Sequence, residues 1–147
     1  MFAKADYEHF AALQPGDRAY LPIQDSVRPI VEAGQAALVD NDFALDDEVV
    51  LHPTPGHTPG HYAVHLRSQR QRAMMTGDLM HHPIQVRRPD WSSFFCHDPV
   101  ASRRTRERFM ADHTDDDTLI FAAHFPGPTA GHIRQTRGER WFGVVES

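Results

Sequence analysis

Residues 52–66 read HPTPGHTPGHYAVHL and carry four histidines, His52, His57, His61 and His65, behind the apolar run Val49-Val50-Leu51. His57 and His61 stand four apart, a spacing that on a helix would put two metal-ligating imidazoles on one face. Pro55, Gly56, Pro59 and Gly60 forbid that helix, because proline lacks the amide donor and glycine carries a large entropic cost. The pair therefore belongs to a stiff loop. Such a loop admits two readings: a tight turn whose imidazoles bond nearby backbone, or a scaffold that holds a ligand in place before a metal arrives. Two further stretches offer the same donor types. MMTGDLMHHP sets Asp78 just past an apolar strand and a glycine, where a carboxylate can bridge two cations. LIFAAHFPGPTAGHI ends an apolar run on His124, with His132 in the loop's wake.

The chain has 147 residues, the usual size of one compact domain, with eleven histidines and one cysteine. Bound metal would then be held by imidazole and carboxylate rather than thiolate. A lone Cys96 excludes a disulfide within the chain and fits a reducing compartment. No partner histidine for it follows from the pattern, so it reads as inert. The start MFAKADYEHFAALQPGD has no apolar signal region and no stretch approaches membrane-spanning length, so the expectation is a cytoplasmic protein that engages no membrane. A net charge of −5 suggests no nucleic-acid surface. Arg103, Arg104, Arg106 and Arg108 read as a solvated helix face beside acidic neighbours.

The elements that must position these donors follow from period and punctuation. Helices are expected over 4–13, stopped by Pro15-Gly16, and over 27–33, capped by Asp25-Ser26 and closed by Gly34. Short strands are expected at 48–51, 62–66 and 73–76, the last two joined by the polar turn 67–72. Asp98-Pro99 opens a helix to about residue 113. The run 119–123 is apolar without alternation, as for a strand covered on both faces. Residues 131–135 and 140–145, joined through Arg137-Gly138, read as a hairpin. Short connections make the first three strands run up, down and up, and the helix at 99–113 is a crossover that returns the next strand parallel to the third. His57, Asp78 and His124 then lie just beyond three strand exits on one sheet edge.

Taken in this order, TPGHTPGH, then GD, then AHFPGPTAGHI resemble the metallo-β-lactamase-fold hydrolases, and LPIQDSVRPIVEAGQAALVD and HHPIQVRRPDWSSFFCHDP resemble the lactonase and organophosphate-hydrolase branch. The resemblance runs over nearly the whole chain. It implies an α/β fold, the αβ/βα sandwich, of which this chain covers mainly the C-terminal half as one partial domain over 1–147. It implies His57 as ligand of one metal, His124 of the other and Asp78 as the bridging carboxylate and catalytic group. His61 is implied as an outer, loop-structuring residue. The cofactor is a divalent metal, zinc first, with iron or manganese suiting the same ligands. The activity is hydrolysis of an ester, lactone or phosphoester by metal-bound hydroxide on a small-molecule substrate.

The family's H-x-H-x-D-H motif is absent from this sequence; His9 stands alone, and His81-His82 are adjacent. Each metal would keep one histidine and a share of Asp78, so affinity falls steeply and activity of the chain alone is expected to be weak or lost. A non-catalytic truncated fragment, or a half-domain completed by a partner chain, remains the alternative. The sheet face that packs on the other half would be uncovered, which favours a homo-oligomer or a partner chain over it. The loop 80–97 brings His81, His82, Trp91, Phe94 and Phe95, which with His132 are candidates to wall a substrate pocket. The same aromatics serve equally well to anchor a long loop to the body.

Overall fold

The structure is a computed structural model that describes residues 1–40 and 42–145. Its first third is helical and small. A parallel pair, β1 (Phe2–Ala3) and β2 (Leu38–Val39), brackets α1 (Lys4–Ala11), α2 (Tyr20–Pro22), one π turn (Ile23–Val27) and α3 (Arg28–Glu32). Helical backbone thus runs unbroken through 20–32, so Asp25 and Ser26 sit inside it rather than capping it. The first turn of that helix starts seven residues before the expected one. Gly34 ends it at φ +68°, the left-handed turn that glycine adopts without penalty.

The rest is a six-stranded sheet in chain order: β3 (Val49–Pro53), β4 (Tyr62–Ser68), β5 (Gln71–Met75), β6 (Leu119–Phe121), β7 (Ala130–Thr136) and β8 (Glu139–Val144). All neighbours are antiparallel except β5 and β6, which are parallel, as the expected crossover requires. The crossover passes through a one-turn α4 (Ile84–Arg87) and the long α5 (Pro99–His113). Asp98 caps α5, accepting from the amides of Val100 and Ala101 at 2.9 Å each. The polar turn between β4 and β5 is tighter than its composition suggests. Only Gln69 and Arg70 take left-handed backbone, and the strands run through the flanking polar residues.

One face of the sheet is packed. Ala63, Met74, Ile120 and Ile133 point onto Phe109 and Met110 of α5 with Leu79, Met80, Val86 and Phe125, and all are buried. Arg106 is buried with them. Its guanidinium donates to the carbonyls of Pro89 and Leu79 and to the hydroxyls of Ser92 and Ser102. This corrects the expectation of four solvated arginines: Arg103, Arg104 and Arg108 are exposed, whereas Arg106 is on the inward face of α5, in line with Ser102, Phe109 and Met110. A buried cation persists there because fixed dipoles replace its water.

The opposite face is open. Pairing puts Val64, Met75 and Phe121 side by side on it, and Met75 is 49 % and Phe121 37 % exposed. The run 119–121 is therefore covered on one face, with Ile120 inward, and not on both. Among the described residues no helix is long and apolar enough to cross a membrane.

His52, one residue before the end of β3, and His65, in the middle of β4, lie on the packed side of the sheet. Both imidazoles are held below their ordinary value of 6.5, first by burial and then by the charges of His113 and Arg108 on His52 and of Arg67 on His65. Between the folded values and 6.5 the unfolded chain binds more protons than the folded one, so their contribution to stability is complete above 6.5 and is lost as pH falls through that window. Urea unfolding at pH 7.5 and pH 5 should show the loss, and the double variant His52→Gln/His65→Gln should lose less between the two. An unchanged difference would contradict this assignment.

Candidate metal centre

The loop after β3 is clamped from two sides. From α1, Asp6 accepts the Gly60 amide at 2.5 Å and the Thr58 hydroxyl at 2.7 Å. From α5, Thr105 donates to the Pro55 carbonyl at 2.7 Å, and the amides of His97 and Asp98 donate to the carbonyls of His57 and Gly56 at 2.9 Å. The fit is so close that a Cβ on Gly56, at φ +131°, would sit 2.2 Å from the backbone nitrogen of Ser102. Only glycine allows the helix to approach this loop.

His61 ties the loop to the next strand exit. Its Nε2 accepts the backbone amide of Asp78 at 3.0 Å, which places the proton on Nδ1, where the Thr54 hydroxyl (2.7 Å) and carbonyl (3.1 Å) accept it. Burial holds this imidazole below its ordinary value, so the neutral form that the arrangement needs is the stable one. A short 3₁₀ turn (Gly77–Leu79) then presents the Asp78 side chain at the sheet edge.

Three strand exits meet there. His57 Nε2 is 3.0 Å from Asp78 Oδ2, and His124 Nε2 is 2.6 Å from Asp78 Oδ1. Each oxygen of one carboxylate thus faces an imidazole from a different exit. Hydrogen bonding to His57, opposed by burial and helped by His124, holds Asp78 well below the usual carboxylate range. The Asp78 bond raises His57 above its ordinary value. The site is wet on one side, with Asp78 40 % and His124 47 % exposed.

Sequence reasoning did not bring His81 into this cluster as a donor. It lies three residues past Asp78, its ring 5.0 Å from that of His57 and stacked on that of His124 at 5.1 Å and 8°. One ligand atom each of His57, Asp78 and His81 falls within 4.8 Å of the others. Nδ1 of His81 is buried without a hydrogen-bond partner among the described residues. Two imidazoles, one of them with an orphaned ring nitrogen, and an ionised carboxylate are a donor set that suits a divalent cation.

The remaining candidates lie elsewhere. His82 Nδ1 accepts the Ile84 amide at 3.1 Å. The Trp91 carbonyl accepts from Gln85, and Arg88 covers the Trp91 ring at 5.1 Å. Phe94 and Phe95 stack on each other, with Arg18 lying 4.2 Å over Phe95. His132 is bonded to the Thr118 carbonyl at 3.1 Å and lines a separate groove with Val49, Leu66 and Leu119. Cys96, expected to lack a histidine partner, has His57 Nδ1 at 4.0 Å and the Ser102 hydroxyl at 3.4 Å. The contact arises because the residues before α5 run antiparallel along the His57 loop, a long-range pairing with no local signature.

A profile of the metallo-beta-lactamase superfamily matches residues 2–124. No curated protein matches the chain significantly. Among solved structures, AidC, a dizinc quorum-quenching lactonase, is 18% identical with a TM-score of 0.84, covering 99% of this chain and 54% of its own. AbOPH, a hydrolase in the beta lactamase superfamily, is 21% identical with a TM-score of 0.84 and the same coverages. An N-acyl homoserine lactone hydrolase, with N-hexanoyl-L-homoserine bound at its catalytic metal centre, is 18% identical with a TM-score of 0.62, covering 85% and 46%. At these identities the likeness is one of fold. This chain spans about half the length of the solved structures it matches.

Replacing His61 by Ala leaves the partly buried Asp78 amide without an acceptor, at a cost of about 1 kcal/mol. Urea denaturation should show that loss. Stability within error of the parent would contradict the role of His61 as the strut between the two exits.

Proposed function

This chain belongs to the metallo-beta-lactamase superfamily, and from that premise we propose that it carries the metal centre of a hydrolase for an ester, lactone or phosphoester bond, with low turnover in this chain alone. The observation that carries the proposal is the Asp78 carboxylate with His57 on one oxygen and His124 on the other. These three residues, with His81 beside them, frame the centre. A divalent metal, zinc in AidC, supplies there a Lewis acid that polarises the scissile bond and lowers the pKa of water.

The chain's own residues then have distinct tasks. Asp78, kept ionised, holds negative charge at the edge and accepts a proton only at strongly acidic pH. His57, fixed through its backbone by the residues before α5, presents Nε2 toward the centre and Nδ1 toward Cys96. His61 fixes the Asp78 backbone and stays neutral. The exposed side of Asp78 and His124 is where a small substrate enters. Turnover is low because, among the described residues, no second set of histidines converges on Asp78 to hold water against the substrate.

A second reading is favoured by the open sheet face. An apolar groove lined by Tyr62, Val64, Met75 and Phe121 runs to Gly77 and Ala123, directly beside the centre. Covering it with another chain would bury this surface and close the wet side of the site in one step. In this reading the chain is half of a composite site, completed by a second copy or by a partner that brings further histidines.

Purified protein supplied with zinc, iron or manganese should hydrolyse at least one of an aryl ester, a lactone and a phosphotriester slowly, and Asp78→Ala should abolish that turnover. No hydrolysis of any of the three would overturn the enzyme reading. For the open face, light scattering on a sizing column should give a mass above one chain, and Phe121→Glu should shift it down. A monodisperse monomer would contradict coverage by a second copy.

A further inference from the structure

Asp78 and the three histidines around it do not offer enough donors for two ions. His57, His81 and His124 give one ring nitrogen each and Asp78 gives two oxygens, whereas two catalytic ions with three protein ligands apiece need about six donors. The other imidazoles nearby are committed elsewhere: His61 Nε2 to the Asp78 amide and His82 Nδ1 to the Ile84 amide. One ion is the most this edge can hold well.

Which residues hold it follows from where the donors sit. His57 Nε2 and Asp78 Oδ2 are 3.0 Å apart, near the roughly 3.3 Å that separates two ligands on a tetrahedral ion with bonds of about 2.0–2.1 Å. His81 brings the third ligand atom within 4.8 Å of both, and its buried Nδ1 has no other partner among the described residues. The position of His81 is set from behind. Its amide donates to Gln85 Oε1 at 2.6 Å, and Gln85 is itself anchored to the Trp91 carbonyl at 2.8 Å. Arg106 holds the Leu79 carbonyl between Asp78 and His81. His124 instead meets the far oxygen of Asp78 at 2.6 Å, the place of an outer partner that orients a ligating carboxylate.

We infer that this chain holds a single divalent cation through His57, Asp78 and His81, with His124 orienting Asp78 from outside. The inference rests on the reading of this edge as a metal centre. His81 supplies from the same strand exit the ligand that an upstream histidine motif would otherwise bring.

Equilibrium dialysis of the full chain against zinc, with metal analysis, reads stoichiometry and affinity directly, and cobalt absorption reads the ligand field. One equivalent is expected, with the intense visible bands of a four-coordinate cobalt site. His81→Ala should weaken zinc binding by at least about 100-fold, and His124→Ala by about 10- to 100-fold with stoichiometry unchanged. His81→Phe keeps the ring that stacks on His124 but removes the ligand nitrogen, so it should fold and still fail to bind. Two equivalents, or one equivalent bound equally well by His81→Ala and His81→Phe, would overturn this inference and leave the metal-centre reading standing. No zinc bound by the parent chain would overturn both.

Discussion

A carboxylate shared between two imidazoles at the end of a sheet keeps its geometry only when each partner is held from behind. Asp78 is held through its backbone by His61, His57 through the residues leading into α5, and His124 by the end of β6. The ion pairs themselves are partly exposed and contribute little on their own. What they demand of the fold is larger. Three strand exits must meet within a few ångströms, and the crossover helix must pass close enough to Gly56 to leave no room for a side chain. Parallel pairing of β5 and β6, the one parallel step in the sheet, is what brings the third exit to the same edge as the first two.

The inward face of α5 shows how the scaffold and the site are one structure. Phe109 and Met110 fill the core, Ser102 touches the His57 loop, and Arg106 gathers the carbonyls and hydroxyls of the segment that carries His81. An arginine in that position does work that an apolar residue could not. It satisfies several acceptors of a long irregular segment at once, and so orders a segment whose only regular element is the one-turn α4.

Much of this was legible in the sequence where local rules apply. The Asp98 cap and Pro99 mark the start of α5, alternation marks β4, and Arg137-Gly138 marks the last turn. The convergence of His57, Asp78 and His124 follows from strand count and connection length alone. What was hidden depends on partners far away in the chain. Arg106 looks like its exposed neighbours until the helix is docked. Cys96 has no visible partner until residues 96–98 pair with the His57 loop. His81 reads as half of a His-His pair in a loop, because only the 3₁₀ turn after β5 and the Gln85 anchor turn it back toward Asp78. The apolar run 119–123 suggested burial on both sides, and Phe121 within it lies bare on the open face instead.

Site and open face meet at Gly77 and Ala123, the neighbours of Asp78 and His124, so whatever covers the sheet there also borders the centre. The central claim is that this edge is a metal centre built on Asp78. Zinc-edge anomalous diffraction from crystals grown with zinc tests it most directly. One strong peak is expected within bonding distance of Asp78, His57 and His81. No peak there, or a peak only at surface residues remote from Asp78, would contradict it.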